Sequence, residues 1–111
     1  MSAEFRAQVE LALEEEEPEE LLGLIIEIAL AAEEPGWAAD CLARLATHPH
    51  TDVRGNALMG FAHLSARLGG LDRSRVEPIL AGALNDEKAY VRGQAEACLE
   101  ELGWLAEDAG G

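Results

Sequence analysis

The sequence predicts an all-α fold of six helices arranged as three stacked helical hairpins. Three observations carry this. Val53-Arg54-Gly55-Asn56-Ala57 returns as Val91-Arg92-Gly93-Gln94-Ala95, displaced by 38 residues, and a fixed period of roughly 20–50 residues marks stacked supersecondary units. The match extends in apolar pattern: Ala38, Cys41, Leu42, Leu45 and Ala46 fall on Val76, Ile79, Leu80, Ala83 and Leu84, and Ala57, Phe61 and Leu64 fall on Ala95, Leu99 and Leu102. Each unit therefore reads as two amphipathic helices, the second opened by the Val-Arg pair. Third, apolar residues recur at helical spacing throughout and no segment alternates as a strand does.

The elements follow in order. Ser2 is placed to cap a first helix through about Glu16, with Phe5, Val9, Ala12 and Leu13 as its apolar stripe. Pro18 fits the first turn of a second helix over about 18–33, where Glu19 and Glu20 meet its positive end. Leu21, Leu22, Leu24, Ile25, Ile26 and Ile28 make that helix apolar nearly all round. Such a helix is either covered on both sides or exposes a sticky face. Pro35-Gly36 is read as its stop. A third helix runs from about Trp37 to Ala46 and ends before His48-Pro49-His50. Thr51 or Asp52 caps a fourth that reaches about Leu68, with Val53, Ala57, Phe61, Leu64 and Leu68 on its core face. Gly69-Gly70 ends it, and Asp72 caps a fifth helix that runs to Leu84 with Pro78 in its early turns. After the turn at residues 85–88, a sixth helix covers about 89–107, and the last four residues fray.

With the turns placed, Asp86 followed by Val91-Arg92 resembles the inter-helix signature of HEAT repeats. The resemblance implies a short right-handed α-solenoid. It makes the chain one domain, 1–111, with repeats over about 2–34, 36–69 and 72–108. It further implies that Asp86 and Arg92 are ladder residues hydrogen-bonded between successive repeats, with Arg54 in the same role. The second unit departs from the pattern, since His48 stands in the aspartate's place, and Asp52 is the nearby substitute. The motif evidence covers residues 37–107, while the first hairpin rests on length and pattern. The wording around Val53-Arg54 and Tyr90-Val91-Arg92 is also similar to small bacterial HEAT-like proteins, some of which are immunity proteins of toxin systems.

At 111 residues the chain makes one domain, and 49% apolar with 5% aromatic content suits helices packed through Ala and Leu. Charge is the outlier: 22 acidic residues against 8 basic ones give a formal net charge of −14. That field repels phosphate backbones and anionic lipid and speeds encounter with basic partners, so nucleic acid and membrane are disfavoured as ligands. The acid is uneven. Residues 1–34 hold 11 carboxylates and one base, Arg6, whereas the other 77 residues hold 11 acids and seven bases. Charge runs of this kind also serve simply as solvated faces. No secretory signal opens the sequence, and the richest apolar run, Leu21 to Ala32, is too short to span a bilayer. Cys41 and Cys98 sit at apolar positions in different helices, which reads as buried, reduced thiols in a cytoplasmic protein.

Stacked hairpins leave the second helix of each pair lining a shared surface. On the fourth helix the face away from the core stripe carries Asn56, Met59, His63 and Ala66, with Arg67 beside it. The 38-residue offset carries the strip to Gln94, Ala97, Glu101 and Trp104. Amides, a Met, a His and a Trp are the composition of a protein-binding patch, with Asn56, Met59, His63, Arg67, Gln94, Glu101 and Trp104 as its candidate residues. Trp37 is read as stapling a helix end. Tyr90, at the repeat position of Asp52, is expected partly exposed. Gly55 and Gly93 are read as permitting close helix approach, and neither belongs to a phosphate-binding loop. His48, His50 and His63 are the only imidazoles, and His-x-His with Asp52 nearby fixes no fourth ligand. Neither Ser65 nor Ser74 has an activating neighbour. No catalytic residue, metal or cofactor is expected.

The expected function is a non-catalytic protein-interaction module for another protein, of basic charge, with an immunity-type inhibitor of a toxin as its sharpest form. A homodimeric scaffold or adaptor, paired through the apolar second helix, is the alternative, and a HEAT-like enzyme stands behind both.

Overall fold

The computed structural model describes residues 3–15 and 17–104. Six helices follow one another: α1 (Ala3–Glu15), α2 (Pro18–Ala31), α3 (Pro35–Leu45), α4 (Thr51–Leu68), α5 (Arg73–Ala83) and α6 (Ala89–Leu102). No strand occurs among the described residues. Ser2, Glu16 and residues 105–111, expected as the first cap, the end of the first helix, the end of the sixth and a frayed terminus, lie outside them.

Each even-numbered helix packs on the odd-numbered one before it, and α4 also packs on both α2 and α6. Hence α2, α4 and α6 form one layer and α1, α3 and α5 a second. The Cα envelope of 44 × 29 × 17 Å is as thin as two helix layers. The core runs along the seam between layers. Phe61, Leu58 and Leu64 of α4 are fully buried with Leu21 and Ile28 of α2, Leu42 of α3 and Leu80 of α5. Burying a side chain of this size stabilises by about 1.5–3 kcal/mol, so the seam dominates the fold's stability. Among the described residues, no polar or charged residue is fully buried.

Two helix starts differ from expectation. Pro35 and Gly36 do not stop α2; they open α3, Pro35 lying at its first turn. A proline there forfeits only an N–H that has no partner inside the helix. The second helix has already ended at Ala31, its closing bond running from the Ala32 N–H to the Ile28 carbonyl. The fourth helix starts after His50, and no side chain caps it; Thr51 and Asp52 are inside it. Asp72, by contrast, caps α5 as expected, its carboxylate accepting from the Ser74 N–H at 3.1 Å. Gly69 and Gly70 both hold φ of +67°, a conformation that glycine adopts without steric cost and that ends α4 sharply.

Close approach of neighbouring helices depends on glycine at two points of α4, one facing α3 and one facing α6. A Cβ at Gly60 would meet the Leu42 methyls at 2.9 and 3.1 Å, so α3 and α4 approach only because Gly60 has none. A Cβ at Gly55 would meet the Tyr90 ring at 2.5 Å, so Gly55 permits the close approach of α4 and α6 expected of it. Gly93 is different. Nothing lies within 4 Å of its would-be Cβ, so it permits no close approach, because its side of α6 faces solvent.

Candidate protein-binding surface

The surface is built on a pattern of arginine fasteners. Arg54, in the first turns of α4, reaches across to the turn before α6 and grips Asp86 with both ends of its guanidinium, Nε to Oδ2 at 2.8 Å and NH2 to Oδ1 at 3.0 Å. The same side chain donates to the carbonyls of His48 and Pro49. Thirty-eight residues on, Arg92 donates to the Asp86 carbonyl at 2.7 Å, the counterpart of the Arg54 bond to His48. Asp52 does not replace the missing aspartate. It is exposed, and Arg54 pairs with Asp86 of the next unit instead. The Arg54 guanidinium, followed by the Lys88 N–H, holds the Asp86 carboxyl below the usual carboxylate range.

Two more arginines satisfy helix ends. Arg67 donates to the carbonyls of Ala29, at 2.8 Å, and of Ala32 at the end of α2. Arg44 donates to the Leu13 carbonyl near the end of α1. A cation at a helix C-terminus meets both an orphan carbonyl and the negative end of the dipole. Arg6 pairs with Glu34 and lies over Trp37, Arg73 pairs with Glu77 and lies over Trp104, and Arg75 pairs with Asp40. All seven arginines are thus engaged within the molecule.

The consequence falls on the layer of α2, α4 and α6. Its three arginines (54, 67 and 92) are bound to carbonyls or Asp86, while its seven carboxylates stand exposed: Glu19, Glu20, Glu27, Asp52, Glu96, Glu100 and Glu101. None of the seven forms an ion pair with a described residue. Next to this charge is apolar surface. Ile26 is 60% exposed and Leu30 69%, one turn apart on α2. They line a groove of about 220 Å³ with Ile25 and Ala29, closed on the other side by Asn56, Met59 and His63 of α4.

The expected strip is therefore divided. Asn56, Met59 and His63 come together at the groove, with Asn56 anchored through its amide to the Asp52 carbonyl at 2.7 Å. Arg67 is turned onto the end of α2. On α6, Gln94 donates to the Tyr90 hydroxyl, and Glu101 is exposed. Trp104 is half-buried, with the Arg73 guanidinium 5.1 Å from its ring centre. Tyr90 is 43% exposed, as expected. Trp37 ties α3 to α1 rather than its own helix end, its ring edge-on to Phe5 at 6.0 Å. What sequence reasoning missed is the contribution of Ile26 and Leu30. Its signal was present in the apolar girth of the second helix, but helical periodicity alone does not say which side is left uncovered.

The histidines of the α3–α4 turn and the two cysteines lie away from the groove. His48 Nδ1 accepts from the His50 N–H at 3.0 Å, which closes the turn between α3 and α4. Cys41 and Cys98 are buried free thiols, pushed up to about 11 and about 12 by burial. Among the described residues, no three His, Cys, Asp or Glu side chains converge as metal ligands. Nor is any described helix long and apolar enough to cross a membrane.

No family model matches the chain, and no curated protein matches it. Among solved structures it is similar in fold to a chain in the crystal structure of a CDI complex from Cupriavidus taiwanensis LMG 19424. The TM-score is 0.78 at 24% identity, over 86% of this chain and 85% of that one.

Proposed function

We propose that the chain is a non-catalytic, HEAT-like protein-binding module, that its partner is a basic protein, and that the layer of α2, α4 and α6 is the binding face. The observation that carries this is the charge arrangement of that layer: each arginine is hydrogen-bonded within the chain, while seven exposed carboxylates outnumber them beside exposed Ile26 and Leu30. An acidic field around an apolar patch steers a cationic protein in and gives it something to bury. The shared fold with a chain from a CDI complex supports a place in a protein assembly. Its sharpest form is an immunity-type inhibitor, which covers the active surface of a basic toxin in the cytoplasm.

The test is capture followed by an activity assay. The immobilised chain is expected to retain a basic protein in one-to-one ratio at low salt and release it at high salt. Adding the chain back to the eluted protein is expected to suppress that protein's activity. An eluted protein whose activity is untouched would remove inhibition and leave an adaptor. A second reading, a homodimeric scaffold joined through α2, draws on the same exposed Ile26 and Leu30. Sedimentation of a monomer at tens of micromolar would count against it.

A further inference from the structure

We propose that the groove between α2 and α4 is an anchor site for one large aliphatic or aromatic side chain carried on a lysine- or arginine-rich segment of the partner. This rests on the basic-partner reading and adds where and how the contact is made.

The groove's chemistry selects the anchor. Its floor and walls are aliphatic, with Ile26 and Leu30 from α2 facing Met59 from α4. A thioether is flexible enough to adapt to an entering side chain. An aliphatic void of roughly 150 Å³ is enough to hold a benzene-sized group, so about 220 Å³ accommodates a Leu, Met or Phe side chain. Asn56 and His63 supply polar groups at the edge. The Asn56 amide nitrogen is already committed to the Asp52 carbonyl, which leaves its oxygen as an acceptor for a partner's backbone N–H.

The surroundings select the flanking charge. Glu19 lies seven residues before Ile26 on α2, and Asp52 lies seven before Met59 on α4. A spacing of seven is two helical turns, so both exposed carboxylates fall on the stripes that line the groove. No lysine or arginine occurs on α2, and Arg67, the α4 base beyond His63, is held on the α2 carbonyls. A segment seated in the groove therefore meets negative charge. The same arrangement disfavours a second copy, which would bring a formal charge of −14 against an equal one.

Three capped pentapeptides test this by NMR titration of the isotope-labelled chain: Lys-Lys-Leu-Lys-Lys, Lys-Lys-Ala-Lys-Lys and Glu-Glu-Leu-Glu-Glu. The leucine–lysine peptide is expected to shift Ile26, Leu30 and Met59 saturably. The alanine peptide is expected to bind about fivefold more weakly or worse, since it lacks the buried methyl groups, and to leave Met59 unmoved. Leu30→Gln and Ile26→Gln alter exposed positions, keep the fold, and are expected to reduce the leucine peptide's response to that of the alanine peptide. Equal responses to both lysine peptides would overturn the anchor site while the basic-partner reading stands. Groove binding by the glutamate peptide as tight as by its lysine counterpart would overturn both. Shifts at Ile26 and Leu30 on raising the chain's own concentration would assign the groove to a second copy and overturn the proposal.

Discussion

Asp86 joins two units of the chain through a single side chain. It receives both ends of Arg54 and the Lys88 N–H, and its carbonyl receives Arg92. Removing the carboxylate leaves a half-buried guanidinium without its charge partner, so Asp86→Ala is expected to cost about 2 kcal/mol in urea unfolding. Glu77→Ala, which breaks a more open i,i+4 pair with Arg73, is expected to cost no more than about 0.5 kcal/mol. The acid limb of the stability profile follows from the depressed Asp86 carboxyl. Its contribution is complete above the ordinary carboxylate value of about 3.9 and is lost as pH falls through the lower folded value. Asp86→Asn should therefore flatten the decline in urea midpoint below about pH 4. The two cysteines make a separate check at this scale. Burial raises both thiols, so alkylation by iodoacetamide near neutral pH is expected to spare both in the folded chain and reach both in denaturant.

At the scale of elements, close packing and helix propensity oppose each other at glycines. Gly60→Ala places a methyl against Leu42 in a fully buried seam and is expected to destabilise by about 1–3 kcal/mol, less the gain in propensity. Gly93→Ala meets nothing and is expected to stabilise by about 0.5–1 kcal/mol. Thermal melts of the two variants should move in opposite directions. Much of this layer was legible beforehand. The repeat of Val53-Arg54 as Val91-Arg92 placed α4 and α6, and the Asp72 cap placed α5. Boundaries were less legible where a residue type has two uses. Pro35 after an apolar run reads as a stop, yet the same ring geometry starts a helix. The α2 surface was hidden for a different reason. Ile25 and Ile28 are buried while Ile26 and Leu30 are bare, and only the way α1 and α4 pack on that helix separates them. The Arg54–Asp86 pair was half legible. Arg54, Asp86 and Arg92 stood out in the repeat, but the Arg54–Asp86 bond crosses units that the irregular second turn obscured.

At the scale of the whole molecule, the outlier is the net charge of −14, concentrated in a first third with 11 carboxylates and one base. All seven arginines are engaged within the molecule, four of them with Glu34, Asp40, Glu77 and Asp86, so most of the remaining carboxylates stand without a cation. Self-repulsion of this kind is screened by salt, whose Debye length shortens to about 10 Å at 0.1 M. The melting temperature is therefore expected to rise as salt is added from low ionic strength, whereas partner binding is expected to weaken. The opposite signs distinguish screening within the chain from screening between chains. The most direct test of the central claim compares two baits of equal net charge in one capture experiment. One carries Asp52→Lys with Glu101→Lys on the layer of α2, α4 and α6; the other carries Glu10→Lys with Glu14→Lys on α1. The first bait is expected to lose the basic partner that the unaltered chain retains, and the second to keep it. Loss from the α1 bait with retention by the other, or equal loss from both, would contradict that claim.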